Sequence, residues 1–181
     1  MEKSKVYFTK EITPESLIKI YEVFGKELKG KVAVKLSTGE AGGHYFLNPN
    51  LIKDLVSKVN GTIVECNTAY EGKRNTTEEH WKTIKDHGFM DIAKVDIMDE
   101  EGDMSLPVEN GFHLKENFVG AHLKNYDSML VLSHFKGHAM GGFGGALKNI
   151  SIGIGSSNGK AWIHTAAKTK SPSELWNNLP E

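Results

Sequence analysis

Three short runs of apolar and β-branched residues, at 32–36 (Val-Ala-Val-Lys-Leu), 62–66 (Thr-Ile-Val-Glu-Cys) and 128–132 (Ser-Met-Leu-Val-Leu), do most to limit how this chain can fold. Runs this short between turn signals read as strands, and the last suits a strand buried on both faces. Helical stretches separate them. Thr13-Pro14 offers an N-cap and a first-turn proline ahead of Leu17, Ile20, Tyr21, Phe24 and Leu28 at helical spacing, with Gly30 as the stop. A second proline-started helix is expected around Leu51, Leu55 and Val59, and Thr76-Thr-Glu-Glu79 opens a third as a capping box closed by Gly88. Shorter strands are expected at Val6 and Phe8 and over 92–97. Parallel neighbours need crossover connections, and helices of this length supply them. The expected fold is therefore one α/β domain over residues 1–181, a mostly parallel sheet with helices on both faces.

Composition narrows the function classes. Twenty-two basic residues against 23 acidic ones leave a formal charge of −1, so no overall field favours nucleic acid and any anion site must be local. No apolar run is long enough to span a membrane, and the start, Met-Glu-Lys-Ser-Lys, lacks the apolar core of a secretory signal, so a cytoplasmic protein is expected. Cys66 is the single cysteine; it cannot form an intrachain disulfide, and this chain alone cannot complete a cysteine-ligated iron-sulfur cluster. After a strand it reads as a small buried hydrophobe. The acidic stretch 99–103 reads as a solvated hairpin tip rather than a metal site. Residues 171–181 read as the start of a capped helix with Leu175 and Trp176 in need of cover, so further chain after Glu181 is expected.

In parallel sheets ligands gather beyond the carboxyl ends of the strands. Loops 37–48, 66–75 and 133–145 would meet there. Eight of the 19 glycines fall between positions 137 and 159. Glycine lets backbone amides approach a ligand closely, so Gly141, Gly142, Gly144 and Gly145, followed by a helix start, are candidates to cradle a phosphate or carboxylate; a tight backbone crossing is the alternative. The common nucleotide fingerprints do not fit. Leu147 stands at the last glycine position of G-x-G-x-x-G, and Gly155-Ser-Ser-Asn-Gly-Lys160 is one residue short of a P-loop, with Ala161 where a hydroxyl should hold magnesium.

Around these glycines lie the candidates for chemistry. His138 sits within the loop as an acid/base group, and Lys148, just after the glycines, could pair with an anion or act as nucleophile or base. His164 follows Trp162 and Ile163 in an expected strand, either lining a cleft or packed in the core. His134 and His138 are four apart, but the flanking strand and glycines argue against a helix that would aim both at one metal. Tyr70, Lys73 and Arg74 form a second polar loop, where Arg74 could clamp an acidic group with two prongs.

Two resemblances follow from these motifs. Leu132-Ser-His-Phe-Lys-Gly-His138, Gly141-Gly-Phe-Gly-Gly-Ala-Leu-Lys-Asn-Ile150, Gly159-Lys-Ala-Trp-Ile-His164 and Asn67-Thr-Ala-Tyr-Glu-Gly-Lys-Arg74 resemble the signature of domain-of-unknown-function family 362. Many of its members carry a ferredoxin-like segment and are labelled iron-sulfur centre proteins, which implies a ferredoxin-like partner or a missing C-terminal half; this chain shows no such segment. The spacing of His138, Lys148 and His164 is more faintly similar to the nickel-pincer lactate racemase family. That similarity implies a proton-transfer role for His138, a cofactor-bound lysine at Lys148 and a metal-ligand role for His164. Gly72-Lys73-Arg74 resembles the same family's Gly-x-His-Arg loop, so Lys73 occupies the neighbourhood of its second proton-transfer histidine. That family's aspartate-rich phosphate motif is replaced here by Ser37-Thr-Gly-Glu-Ala-Gly-Gly-His44.

The sequence thus leads to two expectations. One is an enzyme domain that binds an anionic small molecule or a metal-bearing or nucleotide-like cofactor and uses His138, Lys148 and Lys73 in acid/base or redox chemistry. In it Gly141, Gly142, Gly144, Gly145, Lys148, Arg74 and Tyr70 hold the cofactor, and His164 and His134 any metal. The other is a non-catalytic ligand-binding or electron-transfer accessory module.

Overall fold

The computed structural model describes residues 3–139 and 141–180. Among the described residues eight strands form: β1 Val32–Lys35, β2 Gly61–Glu65, β3 Val95–Ile97, β4 Asp103–Pro107, β5 Glu116–Gly120, β6 Ser128–Val131, β7 Lys136–His138 and β8 Gly142–Gly144. Four make one parallel sheet in the order β3-β2-β1-β6, while β4 pairs with β5 and β7 with β8 as antiparallel hairpins. The expected α/β architecture is the one found.

The helices are α1 Pro14–Phe24, α2 Pro49–Lys58, α3 Thr77–Asp86, α4 Ala146–Ser151 and α5 Ser157–His164. Local chemistry sets their ends. Thr13 and Ser16 satisfy each other's amides as a capping box, Asn48 caps α2 ahead of Pro49, and Thr76 accepts from the Glu79 amide. Glu79 does not return that bond, because its carboxylate is held by Lys73 and Lys82. α1 stops at Gly25, whose φ of 66° ends the helix before Gly30, and Leu28 reaches the core from non-helical chain.

One sheet face presents Val32, Val34, Ile63 and Ile97 to Ile52 and Val56 of α2, Ile84 of α3 and Leu17 of α1. The other face, with Ala33, Val64, Cys66 and Met98, is covered by single turns that carry Leu123 and Ile154. Beyond it, α5 lies on β5, and Val119 bridges to Gly155. No helix among the described residues is long and apolar enough to cross a membrane.

Five expectations need correction. Val6 and Phe8 form no strand and are 87% and 82% exposed, because three alternating residues without a sheet neighbour bury nothing. The strand over 92–97 is confined to β3, after a single turn at Phe89–Asp91. β6 is half-buried rather than sealed, because it is the sheet edge. The acidic turn joins β3 to a different hairpin, and Asp99 accepts from the amides of Asn67 and Ser157, both at 2.9 Å, stitching the end of β2 to the start of α5. The C-terminal segment is a 3-10 helix, Pro172–Asn177, whose Leu175 is covered by Ala69 and Ala161 while Trp176 stays exposed.

Candidate functional site: a cationic cleft at the carboxyl edge of the sheet

From β1 the chain steps outward to β2 and β3, then returns to lay β6 on the other side of β1. The loops leaving β1 and β6 therefore part at their carboxyl ends, the place where open parallel sheets leave a crevice. A cleft of about 160 Å³ lies there, its floor made by Lys35, Glu65 and Cys66, with residues of loops 37–48, 66–75 and 133–145, α4 and α5 as walls.

The floor is a closed electrostatic unit. Lys35 is buried and spends its three N–H groups on the Leu36 carbonyl, Glu65 at 3.0 Å and Asn149 at 2.8 Å. Glu65 also accepts from the Thr38 amide at 2.8 Å and from Arg74 at 3.3 Å. Burial works against its charge, yet Lys35 and Arg74 outweigh that and hold its carboxyl down at about 2. Arg74 spans Glu65 and Glu40, the latter on the exposed loop 37–48. Behind this unit His80 is fully buried and donates through Nδ1 to Asn67 Oδ1 at 3.0 Å, since the Asn67 amide nitrogen already donates to Thr77. Burial brings His80 down to about 4, so it is neutral.

The walls carry the uncompensated charge. Lys136, Lys148, His134 and His164 all line the cleft and have no hydrogen-bond or ion-pair partner among the described residues. Burial, then Lys136, Arg74 and Lys35, make Lys148 easier to deprotonate than an ordinary lysine. Burial, then Lys148, Lys160 and His138, lower His164. Lys160 is buried and donates to the carbonyls of Asn67 and Gly155. Five cations, Lys35, Arg74, Lys136, Lys148 and Lys160, thus face the cleft against one carboxylate among its lining residues, Glu65. A chain of net charge −1 concentrates positive charge in one place. Such a cleft attracts an anion, and a lysine crowded by like charge can give up its proton as a base.

The structure brings Tyr70, Arg74, His134, Gly144, Gly145, Lys148 and His164 to this cleft. His164 arrives from the last residue of α5, not from the expected strand, because Ser156 caps a helix across Trp162 and Ile163. His138 is on β7 at the rim, its Nδ1 accepting from the Gly141 amide at 3.0 Å, and Lys148 lowers its pKa. Gly141 and Gly142 lie at the hairpin end away from the lining, and neighbouring Met140 is outside the described residues. Lys73 is not brought in; it is 67% exposed and pairs with Glu79 at 3.1 Å. The glycines build the β7–β8 hairpin, and α4 behind them is only six residues long. Cys66 is buried, and burial pushes its thiol up to about 12.

Sequence reasoning missed Lys35, Glu65, Asn149 and Lys160. The available signal was a charge near the carboxyl end of two otherwise apolar runs, Lys35 in Val-Ala-Val-Lys-Leu and Glu65 in Thr-Ile-Val-Glu-Cys. Strands expected to be buried carry such charges only when these are paired.

No curated protein and no solved structure matches the chain. The family model described as Domain of unknown function (DUF362) matches residues 32–179, which takes in the whole parallel sheet and every wall of the cleft. By that match the chain belongs to domain-of-unknown-function family 362.

Proposed function

We propose that this chain is an anion-binding enzyme domain, which holds a small phosphate- or carboxylate-bearing ligand against Lys136, Lys148, His134 and His164. The observation that carries the reading is the contrast between floor and walls. Lys35, Glu65 and Arg74 neutralise one another, whereas the wall cations have no protein counter-charge among the described residues. In this reading Lys148 moves a proton to or from the bound ligand, and His138 and His164 tune it and relay the proton to water. The lowered pKa brings Lys148 toward the neutral range, and the lowered values of His138 and His164 keep both imidazoles neutral and able to accept a proton there.

Calorimetric titration with inorganic phosphate at low ionic strength tests the binding step. Saturable binding is expected, weakened about tenfold by Lys148→Ala, the worth of one charge-assisted contact. No heat and no shift in melting temperature at high phosphate would sink the reading.

A metal-bearing cofactor would find Lys148 and His164 in one cleft. However, no group of three or more His, Cys, Asp or Glu side chains poised for a metal occurs among the described residues, so the metal would have to arrive with most of its ligands. Elemental analysis of freshly purified protein, with and without His164→Ala, tests this. A non-catalytic docking module is the second reading, favoured by the exposed, mutually packed Phe135 and Phe143 on the hairpin. A ferredoxin-like partner would bind there and lose affinity on Phe143→Ser, whereas phosphate binding would not change.

A further inference from the structure

The cleft has a lining of two kinds. Most of its cations come from 133–149 and α5, and three aromatic residues also line it, Tyr45 and Phe46 from loop 37–48 and Tyr70, beside Arg74, from loop 66–75. Phe46 is fixed: its ring stacks on His87 with centroids 4.1 Å apart and planes 11° from parallel, and it tilts against Phe89 at 5.7 Å. The loop itself is tied down at Thr38, whose carbonyl accepts from His87 Nδ1 at 2.6 Å and whose amide donates to Glu65. Tyr45 follows directly before this anchored ring and is 85% exposed, a large apolar surface left facing water beside an ionic cleft. Such surface, uncovered and carried on an anchored loop, is what a ligand ring would cover.

Size narrows the class further. A cleft of about 160 Å³ is smaller than the about 300–1,000 Å³ typical of drug-sized sites. It encloses about one ring with its acidic substituent, and the rest of any larger ligand would lie outside its open mouth. We propose that the ligand is a single-ring aromatic anion, its ring against Tyr45, Phe46 and Tyr70 and its acidic oxygens toward Lys148 and Lys136. The proposal rests on the anion reading above, deepens it, and makes Tyr45 a specificity-determining residue.

The test compares matched pairs by calorimetry or by chemical-shift titration: phenyl phosphate with butyl phosphate, and benzoate with valerate, with inorganic phosphate as reference. The aromatic member of at least one pair is expected to bind about fivefold or more tighter, as an offset ring pair would supply. Tyr45→Ala should close that gap and Tyr45→Phe should keep it; the position is exposed, so neither variant threatens the fold. Equal binding within both pairs, or a preference untouched by Tyr45→Ala, overturns the aromatic proposal while leaving the anion reading in place. Failure of every anion to bind overturns both.

Discussion

Glu65 is the residue on which the site's electrostatics turn. Its two oxygens serve Lys35, Arg74 and the Thr38 amide, and neither cation has water enough around it to replace them. Removing one partner of a buried ion pair leaves an uncompensated charge, which costs about 3–5 kcal/mol. Glu65→Gln is therefore expected to lower unfolding free energy by about 3 kcal/mol in urea titrations, whereas Lys73→Ala, at an exposed pair, should change it by less than about 0.5 kcal/mol. Position-by-position reading singled out Arg74 and Lys148 because each stands next to glycine or loop signals, and His164 because it follows Trp162 and Ile163 in an expected strand. It passed over Lys35 and Glu65 because a charge inside an apolar run looks like noise until a neighbouring strand supplies the opposite one. The parallel register sets Lys35 opposite Val64, one residue before Glu65, and local sequence contains no trace of that register.

At the scale of elements, α4 and α5 depend on single residues to reach the cleft. Asn149 donates to the carbonyls of Lys35 and Leu132 and to Ser133 Oγ, and accepts from Lys35 Nζ. It thus joins α4 to the ends of β1 and β6. Asn149→Ala should cost about 1–3 kcal/mol, for a buried ammonium and two carbonyls left short of partners, and should speed amide exchange across 144–151. α5 approaches β5 at Gly159, where a Cβ would stand 1.8 Å from the Phe118 carbonyl oxygen. Alanine favours a helix over glycine by about 1 kcal/mol, but backbone cannot yield that far, so the clash decides the sign. Gly159→Ala is expected to lower the melting temperature and to loosen His164, read as a weaker effect of phosphate on its imidazole shift. Caps and prolines made α1, α2 and α3 legible; α5 was misread as a strand because its apolar stretch is short and its cap, Ser156, lies among glycines.

For the molecule as a whole, acid works on folding and on ligand binding in opposite directions. His80 falls from its ordinary 6.5 to about 4 in the folded chain. Between these values the unfolded chain holds more protons, so this stabilising contribution is complete above 6.5 and is lost as pH falls toward about 4. From about pH 7 to about pH 5 the loss should be on the order of 2 kcal/mol, and His80→Gln should flatten that part of the profile. Glu65 adds a second loss at lower pH, below the ordinary carboxylate range and down to about 2. Binding of an anion of constant charge should strengthen over the upper interval, because the bound anion favours protonated His164 and His138, whose pKa values lie below the usual one when the cleft has no ligand. Titrating sulfate, which keeps its charge over this interval, at both pH values checks the sign, and weaker binding in acid would contradict it.

Sequence alone determined the strands β1, β2 and β6, the starts of α1, α2 and α3, and the impossibility of a disulfide within residues 1–181, because propensity, capping and cysteine count are properties of neighbouring residues or of the residue total. It also showed that any site for an anion must be local, since the charges cancel overall. Tertiary structure decided the rest. Strand order β3-β2-β1-β6 opens the crevice between the loops after β1 and β6, and the parallel pairing of β1 with β2 joins Lys35 to Glu65 in its floor. Chain reversal through the β7–β8 hairpin and the placement of α5 then bring Lys148 and His164 into the same cleft as aromatic rings more than 70 positions away in sequence. Those pairings come from long-range burial and electrostatics, which no window of neighbouring residues encodes.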